Sequence, residues 1–342
     1  MLKKTILHIG VLLALTIFGC KNNGKQSYIT IDGFTQGSTY HIIYRDEGDT
    51  AVPSDSIERY LRDIDYSVSG YNEASLLTKI NKGENSPLDS IFTKLFRESE
   101  KYYKLSNGKF DISAAPLFDM WGFGFKEGKE VTVKMIDSVK CFIGMDKARI
   151  VTGKEGKAYL QRDDPHMQFN FTAIAQGYTC DYIAEKFNAK GIKNYLIEVG
   201  GEVYCKGVNS KGEKWKIGID KPIDGNNVPG EEMECALLIS DKGLVTSGNY
   251  RKFYIKEGKK YSHTIDPISG YPVSHSLLCA TVIANDATTA DALATYFMVI
   301  GLEEAKKYLD ANPNLQALLI YEENGKIKTF YTDKLEIINF DK

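Results

Sequence analysis

Asp291 and Thr295 are the two residues whose types and spacing most suggest chemistry. They stand four apart in the run Ala290 to Ile300, where the Tyr296 hydroxyl is the only other polar group. The spacing predicts a helix that is apolar nearly all round and therefore buried, with Asp291 and Thr295 on one face and Leu293, Phe297 and Ile300 turned away. Gly301 ends it. A carboxylate in such a place needs a counter-charge or donors. One reading is local: Thr288-x-x-Asp291 fits a capping box at the positive end of the helix dipole, and a mid-helix Thr often bonds the carbonyl one turn back. The other is a hard cation held by one carboxylate and one hydroxyl, with water, a carbonyl and substrate phosphate completing the shell. That sparse oxygen set is how Mg²⁺ is usually bound.

Three further stretches carry polar or aromatic groups in unusual company. Asn170 to Tyr178 opens a helix that runs to about Asn188 and is stopped by Gly191; small residues at such a start admit a ligand to free backbone N–H groups, which favour an anion. Phe110 to Gly124 packs aromatics, glycines and two acids into one irregular run. It reads either as a core plug or as a wall for a flat-ringed ligand, with Trp121 and the Phe residues supplying the flat faces. Tyr261 to Pro272 runs a strand into a tight Asp-Pro-x-x-Gly turn, with His263 three residues ahead of Asp266. A strand-end histidine with an ordinary hydrogen bond is the plain reading of that position.

These residues need a sizeable scaffold, and the chain supplies one. Its 342 residues are 43% hydrophobic and 26% charged, ordinary for a globular protein, and no internal repeat or linker divides it. Net charge is −2 with dispersed Lys and Arg, so no basic stripe suits nucleic acid. Met1 to Gly19 has Lys3, Lys4 and the apolar run Ile9 to Phe18, too short to span a membrane. It reads as a signal peptide. The following Cys20 resembles the cleavage box of bacterial lipoproteins, which implies a lipidated Cys20, a polar tether to Ser27 and a catalytic domain over 28–340. Losing the leader removes two lysines and no acid, taking the formal charge from −2 to −4. The other cysteines, Cys141, Cys180, Cys205, Cys235 and Cys279, show no metal spacing and read as small buried hydrophobes.

Along the chain, Tyr28 to Tyr44 predicts two strands around a glycine turn. A helix follows from Ser54, as N-cap, through Ile64, then a polar loop from Asp65 to Asn72. Helices are expected over Glu73 to Asn81 and Asp89 to Leu105, a helix and strand within Val131 to Ile150, and a hairpin within Ala158 to Phe169 turning at Asp163-Asp164-Pro165. Strands are expected at Asn194 to Val199, Val203 to Lys206, Trp215 to Asp220, Cys235 to Ser240 and Leu277 to Ala284. The tail should give a helix, Leu302 to Leu309, and two strands.

Taken together, Phe110 to Gly124, Thr172-Ala-Ile-Ala-Gln-Gly-Tyr with Asp181, Glu198-Val-Gly-Gly-Glu, Ser247-Gly-Asn-Tyr, His263-Thr-Ile-Asp-Pro-Ile-Ser-Gly-Tyr-Pro and Ala290-Asp-Ala-Leu-Ala-Thr resemble the ApbE family of FAD:protein FMN transferases, from about Gly33 to the tail. The resemblance implies an α+β fold: one compact two-lobed domain of mixed, largely antiparallel sheets with packed helices, T-fold-like. It implies Mg²⁺ on the Ala173 carbonyl, Asp291 and Thr295. It implies FAD contacts at Gln36, Tyr71, Lys109, Phe110, Asp111, Asn170, Gln176 and Ile265, with His263 as proton acceptor. Gln36 stands where Met is common, Thr172 where Gly is, and Gln176 where Lys is, which removes a cation near the pyrophosphate. The implied partners are proteins with an acceptor Thr or Ser, such as subunits of Na⁺-pumping NADH:quinone reductase or Rnf-type complexes. The implied location is the bacterial cell envelope, lipid-anchored and facing the periplasm.

Overall fold

The computed structural model describes residues 27–46, 48, 52–124, 131–223, 226, 228, 230–250, 253–256 and 259–340. The expected leader and Cys20 lie outside the described residues. Within them the chain is α+β, built on an eight-stranded sheet whose strands occur in space in the order they occur in sequence. They are Tyr28–Thr35, Ser38–Arg45, Tyr195–Val199, Glu202–Lys206, Lys242–Gly248, Leu277–Ala284, Gln316–Glu323 and Lys326–Tyr331, every neighbouring pair antiparallel. Successive side chains of a strand face opposite sides, and here both sides are covered. Ala317 and Leu319 face the helices, whereas Leu318 and Ile320 face a three-stranded sheet made of Trp215–Asp220, Met233–Ile239 and Ile337–Asn339. Double coverage explains why Leu277–Ala284 reads as an almost unbroken apolar run.

Among the described residues, eight α-helices fill the connections: α1 Ser54–Val68, α2 Leu76–Asn81, α3 Ser90–Leu105, α4 Ala115–Met120, α5 Val133–Lys140, α6 Ala175–Ala189, α7 Ala287–Ile300 and α8 Leu302–Ala311. The first six, with the hairpin Ala148–Thr152/Ala158–Arg162, form one long insertion between the second and third strands of the large sheet. A second insertion, between Lys242–Gly248 and Leu277–Ala284, holds the hairpin Phe253–Lys256/Lys259–Ser262 and the short pair Ile265–Asp266/Tyr271–Pro272. The insertions meet in a smaller lobe whose core is Ala114, Leu117, Trp121, Ile136, Val139, Ile143 and Ile265.

Several local expectations shift. Ser54 is the first helical residue rather than the cap; Pro53 precedes it and no side chain caps the helix. α1 continues to Val68, because Ser67 and Val68 are buried and Ser67 donates to Asp89, so polar composition misled there. The hairpin expected at Asp163 turns earlier, between Thr152 and Ala158. The tail forms three strands, the last pairing with Met233–Ile239 in the smaller sheet. Four of the five cysteines are buried as expected; Cys141, at the end of α5, is exposed.

Candidate functional site

α7 packs against α6 and the large sheet at backbone distance. A Cβ on Gly177 would lie 2.4 Å from the Ala287 carbonyl oxygen, and one on Gly243 would lie 2.3 Å from the Ala287 nitrogen. Only glycine permits either approach. Two carboxylates then lock the helices reciprocally. Asp181 of α6 accepts from the N–H groups of Ala287 and Thr288 at 2.9 and 2.8 Å and from the Thr288 hydroxyl at 2.5 Å. Asp291 of α7 accepts from the Gly177 N–H of α6 at 3.0 Å. This rules out the capping-box reading: Asp286 is the N-cap of α7, accepting from Thr289 N, and Asp291 lies a turn further in.

Asp291 is 3% exposed, and Gly177 supplies the only hydrogen bond it receives from the described residues. Burial pushes its carboxyl up to about 7, the Gly177 bond opposing and the Asp181 charge adding to the rise. Asp181 is pushed up to about 6 by burial, against its three hydrogen bonds. So the helix pair carries two carboxylates for which ionisation is costly, and Asp291 borders the larger open space beside it.

That space is a cavity of about 490 Å³, within the range of small-molecule sites. All twelve residues singled out from the sequence line it. Ala173 and Gln176 come from the start of α6, Asp291 and Thr295 from α7. Gln36 sits in the tight turn after the first strand, with φ of +50° followed by +75° at Gly37, the type that matches strand twist. Its amide donates to Thr179 at 2.6 Å, pinning the hairpin tip to α6. Asn170 closes an Asx turn on Thr172 N at 2.9 Å, and its own N–H bonds Ile112. Opposite, Lys109 pairs with Asp266 at 3.1 Å, joining the two insertions. Phe110 is buried edge-on to Tyr102, while Tyr71 stands 73% exposed on the rim. Asp111, held by Ser113 N and Oγ, is pushed up to about 6 by burial. Ile265 and the half-buried His263 complete that side.

Two expectations about the lining need correction. The α6 start is not an open row of donors, since Ala175 N bonds Phe171 O and Gly177 N bonds Asp291. Trp121 does not face the cavity; its indole N–H donates to Gly270 O at 2.9 Å and its ring stacks on Tyr261. Phe110 and Phe118 do border it, so the aromatic run is partly plug and partly wall. Lys109 is the one Lys or Arg among the described lining residues, against Asp65, Asp111, Glu202 and Asp291. Such a lining repels a phosphate ligand unless a cation accompanies it.

The donors nearest that need are oxygens: the Ala173 carbonyl, the Asp291 carboxylate and the Thr295 hydroxyl. No three His, Cys, Asp or Glu side chains gather into a metal-holding group among the described residues. Carbonyl, carboxylate and hydroxyl oxygens are the donor type a hard cation takes, with water and phosphate filling its remaining positions. Sequence reasoning overlooked Gly177 as a site residue, although a glycine inside a helix, costing about 1 kcal/mol relative to alanine, signals close approach.

Residues 36–319 match the model of the ApbE family. The chain is 33% identical to the FAD:protein FMN transferase of Haemophilus influenzae over 93% of both chains. It is 30% identical to that of Escherichia coli K12 over 95% of both. Its fold is similar to that of the flavin transferase ApbE from Vibrio cholerae, with a TM-score of 0.78 at 28% identity over 90% of this chain and 98% of that one. The apo flavinyl transferase ApbE of Pseudomonas stutzeri aligns at a TM-score of 0.79 with 28% identity, covering 91% and 96%.

Proposed function

The chain belongs to the ApbE family, and we propose that it is an FAD:protein FMN transferase, using FAD to place FMN on a Thr or Ser hydroxyl of another protein. The observation that carries this reading is the convergence, from six separated stretches of sequence, of all twelve expected residues on one cavity.

FAD is FMN joined to AMP through a pyrophosphate. The acceptor oxygen forms a bond to the FMN phosphorus, the bridging P–O bond breaks, and AMP leaves with that electron pair. His263, which also lines the cavity, accepts the proton that the hydroxyl loses. Tyr71, Phe110 and Ile265 offer apolar surface to the isoalloxazine or adenine rings, and Asn170, Gln176 and Lys109 offer hydrogen-bond donors to the polar links between them. Mg²⁺ on Ala173 O, Asp291 and Thr295 would supply the charge that stabilises the pyrophosphate and the departing AMP. Two features favour that assignment. Lys109 is already paired, and Gln176 brings no charge, so the lining has little cation to spare. Asp291, whose ionisation burial penalises, is also the group a divalent cation would hold ionised.

The anchor belongs to the same proposal. A lipidated Cys20 would hold the domain at the periplasmic face of a membrane, where Nqr- or Rnf-type subunits present their acceptor residues. Incubation of purified protein with FAD, Mg²⁺ and such a subunit is expected to give a fluorescent band that survives denaturing electrophoresis. AMP released without a labelled acceptor would instead identify an FAD pyrophosphatase, and no AMP at all would overturn the enzymatic reading.

A further inference from the structure

A column of aromatic rings starts at His263. The His263 ring meets Phe123 edge to face, with centroids 6.4 Å apart and planes at 66°. Phe123 stacks on Tyr254 at 5.2 Å and 24°, Tyr254 on Tyr261 at 5.2 Å and 15°, and Tyr261 on Trp121 at 5.8 Å and 26°. The column ends where Trp121 leans on Tyr271 and donates to Gly270 O. Two rings of the hairpin Phe253–Lys256/Lys259–Ser262, Tyr254 and Tyr261, are sandwiched between Phe123 and Trp121 of the turn after α4, so each insertion holds the other in place.

The backbone under this column is fixed at both ends. Phe123 N and Gly124 N both bond Phe118 O, at 2.8 and 3.0 Å, and Gly124 lies so close to Asp119 that a Cβ there would sit 2.1 Å from the Asp119 Oδ1. Next to His263, the Thr264 hydroxyl bonds Asn249 Oδ1 at 2.6 Å and its carbonyl accepts from Val273 N at 3.0 Å. Backbone bonds do not by themselves set the two side-chain torsions of an imidazole. The Phe123 ring beside it contributes to setting them, because aromatic pairs at this separation are directional.

We propose that Phe123 is a positioning residue for His263: its ring, held in the column, keeps the imidazole aimed into the cavity for the transfer step. This rests on the reading of His263 as proton acceptor. Phe123 itself does not line the cavity, so its effect should pass through His263 and leave FAD binding alone.

The test is a double-mutant cycle on the full chain, reading turnover of FMN transfer and, separately, FAD affinity by flavin fluorescence. Phe123→Ala is expected to lower turnover about tenfold or more, as misplacement of a reacting group does, with FAD affinity changed less than about twofold. Phe123→Tyr is expected to restore most of it. In a His263→Ala background the same Phe123→Ala change should cost less than about twofold, because effects routed through one residue do not add. An equal loss in both backgrounds, or failure of Phe123→Tyr to rescue, overturns the positioning role while leaving His263 in place. Undiminished transfer by His263→Ala overturns the proton-acceptor reading, and the positioning role with it.

Discussion

The two walls of the cavity are built on different principles. The α6–α7 wall packs on the large sheet: its helices touch at backbone distance through Gly177, and Asp181 and Asp291 tie them with hydrogen bonds of 2.5 to 3.0 Å. The other wall comes from loops and hairpins of the two insertions, and it is held by one half-buried ion pair, Lys109–Asp266, and by stacked rings. The difference suits two tasks. A wall that concentrates charge must be rigid before the ligand arrives, whereas a wall that admits two substrates in turn can be assembled from loops.

Removing the carboxylate on the rigid wall should have the largest effect. Asp291→Asn is expected to lower FMN transfer by at least about a thousandfold, on the scale of losing a main electrostatic stabiliser, with the fold intact by circular dichroism. An active Asp291→Asn protein would mean that the α7 face carries no charge chemistry. Next comes the contact that brings the helices together. Gly177→Ala would place a methyl 2.4 Å from the Ala287 carbonyl, and about 3 kcal/mol or more should be lost in urea unfolding.

The buried acids give the walls a shared pH signature. Asp111, on the insertion wall, and Asp181, on the helix wall, are both pushed up to about 6. The folded state thus holds these protons more tightly than the unfolded chain, so their contribution to stability without ligand falls as pH rises from about 4 to about 6 and levels off above that, while that of Asp291 goes on falling to about 7. The loss is of the order of 2 kcal/mol for each group, and Asp111→Asn and Asp181→Asn should each flatten part of the slope. A slope unchanged in both variants would show that neither carboxyl is displaced from its ordinary range. The smallest effect belongs to the insertion wall. Lys109→Ala is expected to weaken FAD binding about tenfold by loss of the one Lys or Arg among the described lining residues, while changing stability by less than about 1 kcal/mol, because the ion pair is partly solvated.

Much of this was legible in the sequence because its signals are local. The glycine turn at Gln36–Gly37, the strand Leu277–Ala284 and the Gly301 stop appear where composition and periodicity put them. Local signals failed where burial overruled them. Asp65 to Val68 looked too polar for a helix, yet Ser67 is buried against Asp89. The run around Trp121 read equally as core plug or ligand wall, and for Trp121 packing decided: its N–H and its ring are both taken up by the second insertion.

The chain alone determined that Asp291 and Thr295 share a helix face, because a 3.6-residue period fixes which side chains align. It also supplied the residue types on which the resemblance to a flavin-transferring family rests. What Asp291 bonds to was decided only in three dimensions. Its partner is not its own helix start but the Gly177 N–H, 114 positions earlier in the chain. The same holds for Asp181 capping α7 and for the ring column behind His263, since each joins segments whose separation in sequence carries no periodic trace. Pairings of that kind follow from how helices and insertions pack, and packing is the one property a linear pattern does not encode.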